Sequence, residues 1–583
     1  MATEAYSNFL GGQNMLRDPS LLPGNQYHLG VNLTCRGGTP HTRPPFIPTT
    51  SLPAGKFQGA MTYELEDTHR IVFGVSGHVF ILDLSTLNIK DLGKLLNPQA
   101  DRFFFCQVER YFVVQDGVVG SSWDDTNWPV IIYKSDRYTG QNATRTTAPE
   151  DCLPKGAMMA YGQNRLFVAT NFIYDKDSLA WSDDLGRTGF VAGDIMDATS
   201  PESLLGFTST NYLTGGRVIL PSELGFITGM GFQRNIFSGV GYGSLIVGAK
   251  NGMSSYNVES PRAEWTSTDF GNVLFSGIRS TSPHSWSFVN SDIVYRAHDG
   301  IRTLRYTSTE ARSGSLSNDP ISAEVKPVLD LDNLAAQEYT TTAYVDERSF
   351  CTTVPSDKTT GAFKALISFD TSPSSTLADS APPIYDGIWT GLEFNAVVSA
   401  DYNGYKTLFA FHAGEDDSNE LFRLGRNGET DASDLPKTRI YLPVSLFDSP
   451  FASKIFIGAT LWMVEIKTDL EITGYYRRYG SSKWEQMKKT SIAKAGDGDG
   501  CYHGLSIPVY DQHLSGLGNA NYKGTAFEVC IEWAGQAKAA KIVLFATDPE
   551  TLLDEYLEEI EINADDYSDE LITLDDYDYE VTI

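Results

Sequence analysis

The stretch Ser291-Asp-Ile-Val-Tyr-Arg-Ala-His-Asp-Gly-Ile-Arg-Thr-Leu-Arg-Tyr306 reads as two alternating strands joined by a tight turn at Asp299-Gly300. Asp-Gly between two apolar-alternating runs is a strong short hairpin signal: glycine tolerates positive φ, and aspartate can bond its own backbone. The same unit recurs along the chain. His69-Arg-Ile-Val-Phe-Gly-Val-Ser-Gly-His-Val-Phe-Ile-Leu-Asp83 is one copy, turning at Ser76-Gly77. Arg110 to Gly117, Asn164 to Ala169 with Leu179 to Ser182, and Ser244 to Tyr256 are others, with fainter copies at Ser349 to Phe369 and Leu408 to Leu424. A hairpin returning every ~40–60 residues, with no helical period between copies, predicts a β-propeller of about six or seven blades.

Composition agrees with an all-β chain. At 583 residues it exceeds one ordinary core, and 12% aromatic residues, 52 glycines and 26 prolines suit many short strands and turns. Residues 1–50 are rich in Gly and Pro and poor in strand signals, and read as an extended N-terminal arm ending in Arg43-Pro-Pro-Phe-Ile-Pro. The blade repeats occupy 51–430. After the polar break at Arg426 to Pro436 the strands lengthen, as in Thr460-Leu-Trp-Met-Val-Glu-Ile466 and Phe527-Glu-Val-Cys-Ile-Glu-Trp533, so 436–549 is expected to form a β-sandwich-like domain. The acidic segment 550–583 has no Lys or Arg, yet mixes its carboxylates with Leu, Ile and Tyr, which favours docking over simple solvation.

The net charge of −29 argues against a basic surface that wraps nucleic acid. Six scattered cysteines form no C-x-x-C pair, so neither a zinc site nor a redox dithiol is expected, and Cys106 and Cys530 read as small buried hydrophobes. Met1 to Leu10 lacks a basic, apolar leader pattern, and no apolar run reaches membrane-spanning length. A soluble chain made in a reducing cytoplasm is expected.

Candidate chemistry is sparse. Ser182, Asp184, Gly186 and Thr188 fit the Asp-box spacing Ser-x-Asp-x-Gly-x-Thr, which fixes a hairpin turn through side-chain bonds to backbone N–H groups and is structural rather than catalytic. Asp497-Gly-Asp-Gly500 resembles the start of a calcium loop but lacks the later bidentate glutamate. Trp123 and Trp128 sit in a loop that offers either a stacking surface or an aromatic folded onto a neighbouring blade. No Ser/His/Asp constellation, metal-ligand spacing or phosphate-cradling loop occurs. The expectation is a non-enzyme without cofactor or bound metal.

Several phrases, in order, carry a family resemblance. Phe9-Leu-Gly-Gly-Gln-Asn-Met-Leu-Arg-Asp18, Leu22-Pro-Gly-Asn-Gln26, Asn32, Arg36-Gly-Gly38 and Arg43-Pro44 come first. Gln163 to Ala169 with Ala180-Trp-Ser-Asp183, then Asp292 to Leu304, then Asn318-Asp-Pro-Ile-Ser-Ala-Glu-Val325 follow. Together they resemble the tail nozzle proteins of short-tailed bacteriophages, a group that includes the tail tubular and packaged-DNA stabilisation proteins. The resemblance spans roughly 1–330. It implies a virion protein, made in the host cytoplasm, that forms a homohexameric ring below the head-to-tail adaptor. Such a ring would retain packaged DNA, conduct it without specific binding, and offer contacts to tail fibres or the host surface. A tail-spike or receptor-binding propeller acting on host glycan is the alternative from another class.

Overall fold

The computed structural model describes residues 1–548 apart from 118–128, 139–152, 154–155, 170–172, 176–179, 183–188, 195–216, 235–241, 260–264, 266–270, 290–291, 314–317, 354–362, 372–382, 427–428, 430–436, 448, 494–499 and 511–522; 549–583 also lie outside it. The chain is all-β, with 57% strand and 8% helix, and contains a six-blade propeller arrangement. The first blade is an antiparallel meander of Phe57–Leu65, Thr68–Val75, His78–Asp83 and Ile89–Lys94. The second, third and fourth are four-stranded sheets spanning 104–137, 159–219 and 227–276, and the fifth is three-stranded over 287–303. The sixth joins Phe394–Tyr402, Tyr405–Ala413 and Asn419–Leu424 to Phe46–Leu52, so a strand from the start of the chain closes the last blade.

The blade strands form where they do because both faces are covered by neighbouring blades. In Thr68–Val75, Ile71, Val72 and Phe73 are all fully buried, a continuous apolar run of the kind a doubly covered strand requires. Each such side chain contributes about 1.5–3 kcal/mol through burial. The hairpin after it turns on Ser76 and Gly77, both at positive φ (49° and 87°), as the twist of a two-residue hairpin demands. Gly74 serves a different purpose: a Cβ there would lie 2.2 Å from the Phe103 ring, so its bare backbone admits an aromatic from the edge of the second blade. The cores are accordingly strung between blades, with Phe73, Phe80 and Phe411 joining the first to the last.

Thr342–Val345, Arg348–Thr353, Ala365–Asp370 and Ile384–Trp389 lie between Ser287–Val289 and Phe394–Tyr402, with Thr342–Val345 touching both. These are the inner strands of a ten-stranded sheet that runs outward through Leu29–Val31, Thr438–Tyr441 and Phe527–Ala534 to Leu470–Arg478. A second sheet built on Lys454–Ile466, Lys538–Thr547 and Gly500–Pro508 packs over it through Phe456, Ile472, Tyr476 and Trp533. Strands placed in the propeller by their hairpin texture thus share one sheet with strands of the C-terminal domain.

The N-terminal segment differs most from its expected form. It is not an arm standing clear of its own propeller: Ala2–Tyr6 pairs with Lys538–Thr547, Leu29–Val31 lies between Ile384–Trp389 and Thr438–Tyr441, and Phe46–Leu52 edges the sixth blade. The two largest fully buried side chains among the described residues both depend on it. Trp389 donates its indole N–H to the Leu33 carbonyl at 2.8 Å, and Trp533 donates to Thr42 Oγ1 at 2.9 Å. A buried indole N–H left without an acceptor costs more than the hydrogen bond itself contributes, so the segment satisfies the core as well as covering it. The sequence pattern missed Leu29–Val31 because a strand of three residues carries no readable period.

Candidate functional site: an axial cavity and an arm junction

At the end of the ring where the innermost strands begin, a cavity of about 1060 Å³ is lined by residues Gly55 to Ala60, Asp101, Arg102, His284, Tyr339, Thr341, Glu393, Asn395, Ala396 and the loop His412 to Asn419. Its two basic groups are already engaged. Lys56 Nζ sits 2.7 Å from Asp101, and Arg102 pairs with Glu338 at 3.1 Å while stacking 4.7 Å over the Tyr339 ring. Burial and the neighbouring Glu338 push the Tyr339 phenol up to about 12. Glu393, Glu415, Asp416 and Asp417 make no ion pair among the described residues, so the cavity wall carries a surplus of negative charge.

The two histidines are both held by contacts within the wall. His284 lies against the Phe104 and Phe105 rings, with Nε2 3.1 Å from the Phe103 carbonyl. Burial, assisted by the Arg102 charge, lowers its pKa to about 4. His412 Nδ1 lies 2.8 Å from the Glu393 carbonyl, and its ring meets Phe422 edge-on. Asn419 donates to the Pro53 and Gly55 carbonyls at 3.0 and 2.9 Å, fixing the loop to the first blade. Such a wall repels phosphate at short range and suits a cation or a hydrated polar ligand.

The second feature gathers residues far apart in sequence. Asp299 lies in the turn of the fifth-blade hairpin, but the turn is His298-Asp299, with Ala297 paired to Gly300; Gly300 opens the returning strand instead of completing the turn. Its φ is +155°, and a Cβ there would sit 2.5 Å from Ser322 Oγ and 2.8 Å from Pro320 Cβ. The glycine is therefore demanded mainly by close approach of the 318–325 segment. Arg302 clamps the same contact, bonding Asp299 through Nε and Nη2 (3.0 and 2.6 Å) and Asn318 through Nη1 and Nη2 (2.9 and 2.6 Å). Burial opposes ionisation of Asp299, yet these bonds hold its carboxyl below the usual range.

The arm reaches this contact too. Met15 N donates to the Glu324 carbonyl at 2.8 Å, Asn14 reaches the Glu324 carboxylate at 3.3 Å, and Met15 packs in one core with Val294, Ile301 and Val325. Farther along, Arg43 is buried and its guanidinium meets only uncharged oxygens: Asn32 Oδ1 at 3.0 Å, the Thr390 carbonyl at 2.7 Å and the Pro44 carbonyl at 2.9 Å. Burial alone brings its pKa down to about 9.

Of the sequence-identified turn residues, Ser182 ends the strand Ala180–Ser182, whereas Asp184, Gly186 and Thr188 lie outside the described residues, as do Trp123, Trp128 and the acidic segment. Cys35, Cys106, Cys351 and Cys530 are buried free thiols, and burial raises each of them. The cavity residues carried no sequence signal, because they come from segments as far apart in the chain as Gly55 and Asn419.

No family model matches this chain, and no curated protein does. Among solved structures it is similar to the β-propeller domain of Cps50 (Swd1) from Myceliophteria thermophila, at 12% identity and a TM-score of 0.32 over 65% of this chain and 99% of that one. It is also similar to the extracellular domain of the one component system BT4673 from B. thetaiotaomicron, at 8% identity and a TM-score of 0.36 over 79% of this chain and 47% of that one. Apo AztD from Citrobacter koseri follows at 13% and 0.29, over 59% of this chain and 78% of that one. The chain thus spans about half the length of the second and most of the other two. The propeller architecture rests on the chain's own sheet order, and these likenesses add nothing about function.

Proposed function

We propose that this chain is a structural tail protein of a short-tailed bacteriophage, the subunit of a nozzle ring that retains packaged DNA and conducts it during ejection. One observation carries the reading. Three of the phrases that resemble the nozzle family, 9–18, 292–304 and 318–325, meet in one contact unit: Asn14 and Met15 on Glu324, Gly300 against Pro320 and Ser322, and Arg302 bridging Asp299 and Asn318. Residues that must fit one another are the ones a shared fold would retain together. The net charge of −29 supports the same reading, since a conduit works best when it does not bind its polyanionic cargo.

A ring-forming subunit also needs no catalytic centre, because its work lies in lateral and axial interfaces. The partners implied are further copies of the chain, a head-to-tail adaptor and tail fibres. Negative-stain microscopy of the purified full-length protein, with mass photometry beside it, is expected to show closed six-membered rings. A monomer that binds or cleaves host-surface polysaccharide overturns the proposal in favour of a receptor-binding propeller. The axial cavity is the observation that favours this second reading, and Glu393→Gln would then abolish glycan turnover.

A further inference from the structure

On the rim opposite the axial cavity, the first and last blades meet at a cluster of three metal-ligating side chains. Glu64 and His69 are directly opposed in the register of Phe57–Leu65 with Thr68–Val75, so both stand on one face of the hairpin. Asp401 projects from the end of Phe394–Tyr402 in the neighbouring blade. One ligand atom from each residue lies within 4.8 Å of the other two. Two residues back along both strands, Thr62 Oγ1 donates to the Ser399 carbonyl at 2.7 Å, which holds the two strands in step and sets the third ligand opposite the first two.

The imidazole is oriented but not satisfied. His69 Nδ1 is buried from solvent, has no hydrogen-bond partner, and faces the Asp401 carboxylate across 3.8 Å, beyond hydrogen-bonding distance. A buried ring nitrogen without a partner is costly, and a cation between it and two carboxylates would remove that cost. Arg70, next in sequence, points to the other face, where it lies 6.0 Å over the Tyr63 ring and bonds Thr68 Oγ1. Lys406, the cross-strand neighbour of Asp401, forms no ion pair with it within 4 Å, and no Lys or Arg among the described residues pairs with Glu64 or Asp401.

We propose that Glu64, His69 and Asp401 form a divalent-cation site that staples the first blade to the last. One imidazole and two carboxylates make a mixed N/O donor set that suits zinc or manganese, with water in the remaining coordination positions. Ligand atoms around a tetrahedral zinc stand roughly 3.3–3.5 Å apart for metal–ligand bonds of about 2.0–2.2 Å. Glu64 is exposed, so its carboxylate has room to approach the other two ligands, and His69 and Asp401 at 3.8 Å need to close by only a few tenths of an ångström. The site sits at the one seam where a propeller ring can open, on the blade that the strand Phe46–Leu52 also closes. Bound metal would act there as a second clasp, and it stabilises the closed ring in proportion to its occupancy.

The test is calorimetric titration of the full-length protein with zinc chloride in the presence of excess magnesium, with melting curves recorded in zinc and in EDTA. One saturable site per chain is expected, together with a melting temperature that rises with zinc. His69→Ala should weaken binding by more than about tenfold, since loss of even an outer-shell partner of a ligand typically costs about 10–100-fold, and should remove the zinc-dependent rise. Asp401→Asn serves if the histidine variant melts early in EDTA, since it keeps the shape of the side chain. Zinc binding that is absent from the wild type, or equal in wild type and both variants, overturns the site.

Discussion

Gly300→Ala isolates the contact on which the arm junction depends. The added Cβ would stand 2.5 Å from Ser322 Oγ and 2.8 Å from Pro320 Cβ, distances that real side chains do not tolerate, on a backbone with φ of +155°. Moving Ser322 aside is not free, because its hydroxyl accepts from Ile301 N at 2.8 Å. Overpacking costs about 1–3 kcal/mol, an unfavourable φ adds a similar amount, and a lost hydrogen bond contributes about 1 kcal/mol. Against these, alanine stabilises by about 0.4–1 kcal/mol through the unfolded chain. Partial relaxation of the neighbours leaves a net loss of about 2–4 kcal/mol. Denaturant melts give the total, and hydrogen exchange across 292–303 and 318–329 locates it. Adding Pro320→Gly removes the nearest ring atoms, and a double-mutant cycle should return a coupling of at least about 0.5 kcal/mol. A Gly300→Ala protein within about 0.5 kcal/mol of wild type, with unchanged exchange in both segments, would refute the close-approach argument.

Asp386, buried beside Arg348 at 3.1 Å, also accepts from Cys35 N at 3.0 Å and Ser368 Oγ at 3.0 Å. Asp386→Asn should therefore cost about 3–5 kcal/mol in a denaturant melt, and a loss under about 1 kcal/mol would show that the arginine finds other partners. The pKa values of His28 and His284, both lowered by burial from 6.5 to about 4, make the folded state bind fewer protons than the unfolded one in that interval. Stability should be fully present above pH 6.5 and fall as the pH drops towards 4; a His284→Gln variant should show a shallower slope between those values, and an identical slope counts against this assignment. Deleting residues 1–45 should leave a chain that melts early or aggregates, since Trp389 and Trp533 lose their acceptors in Leu33 and Thr42; a soluble, cooperatively folded product would mean that the interleaved strands are dispensable. If the chain forms the ring proposed above, truncation after Asp548 should weaken it where the Leu, Ile and Tyr residues of 550–583 dock, and rings equally stable to dilution and salt would show that they do not.

The sequence by itself determined whatever depends on neighbours a few residues apart. Alternation in His69 to Asp83 and the Ser76-Gly77 turn specify a hairpin because side-chain period and turn φ are local properties, and the repeated hairpin carries the propeller with it. The same logic slipped by one residue at Asp299-Gly300, where the tertiary approach of Pro320 and Ser322, rather than the turn, explains the glycine. Only the tertiary structure decided that Leu29–Val31 would enter the ten-stranded sheet, because a three-residue strand bonds through its backbone and leaves no pattern in its side chains. It alone assembled the axial cavity from five parts of the ring, and brought Glu64 and His69 to Asp401 across more than 300 residues. Closing the ring fixes those distances, and no feature of either segment read alone encodes where the other will lie.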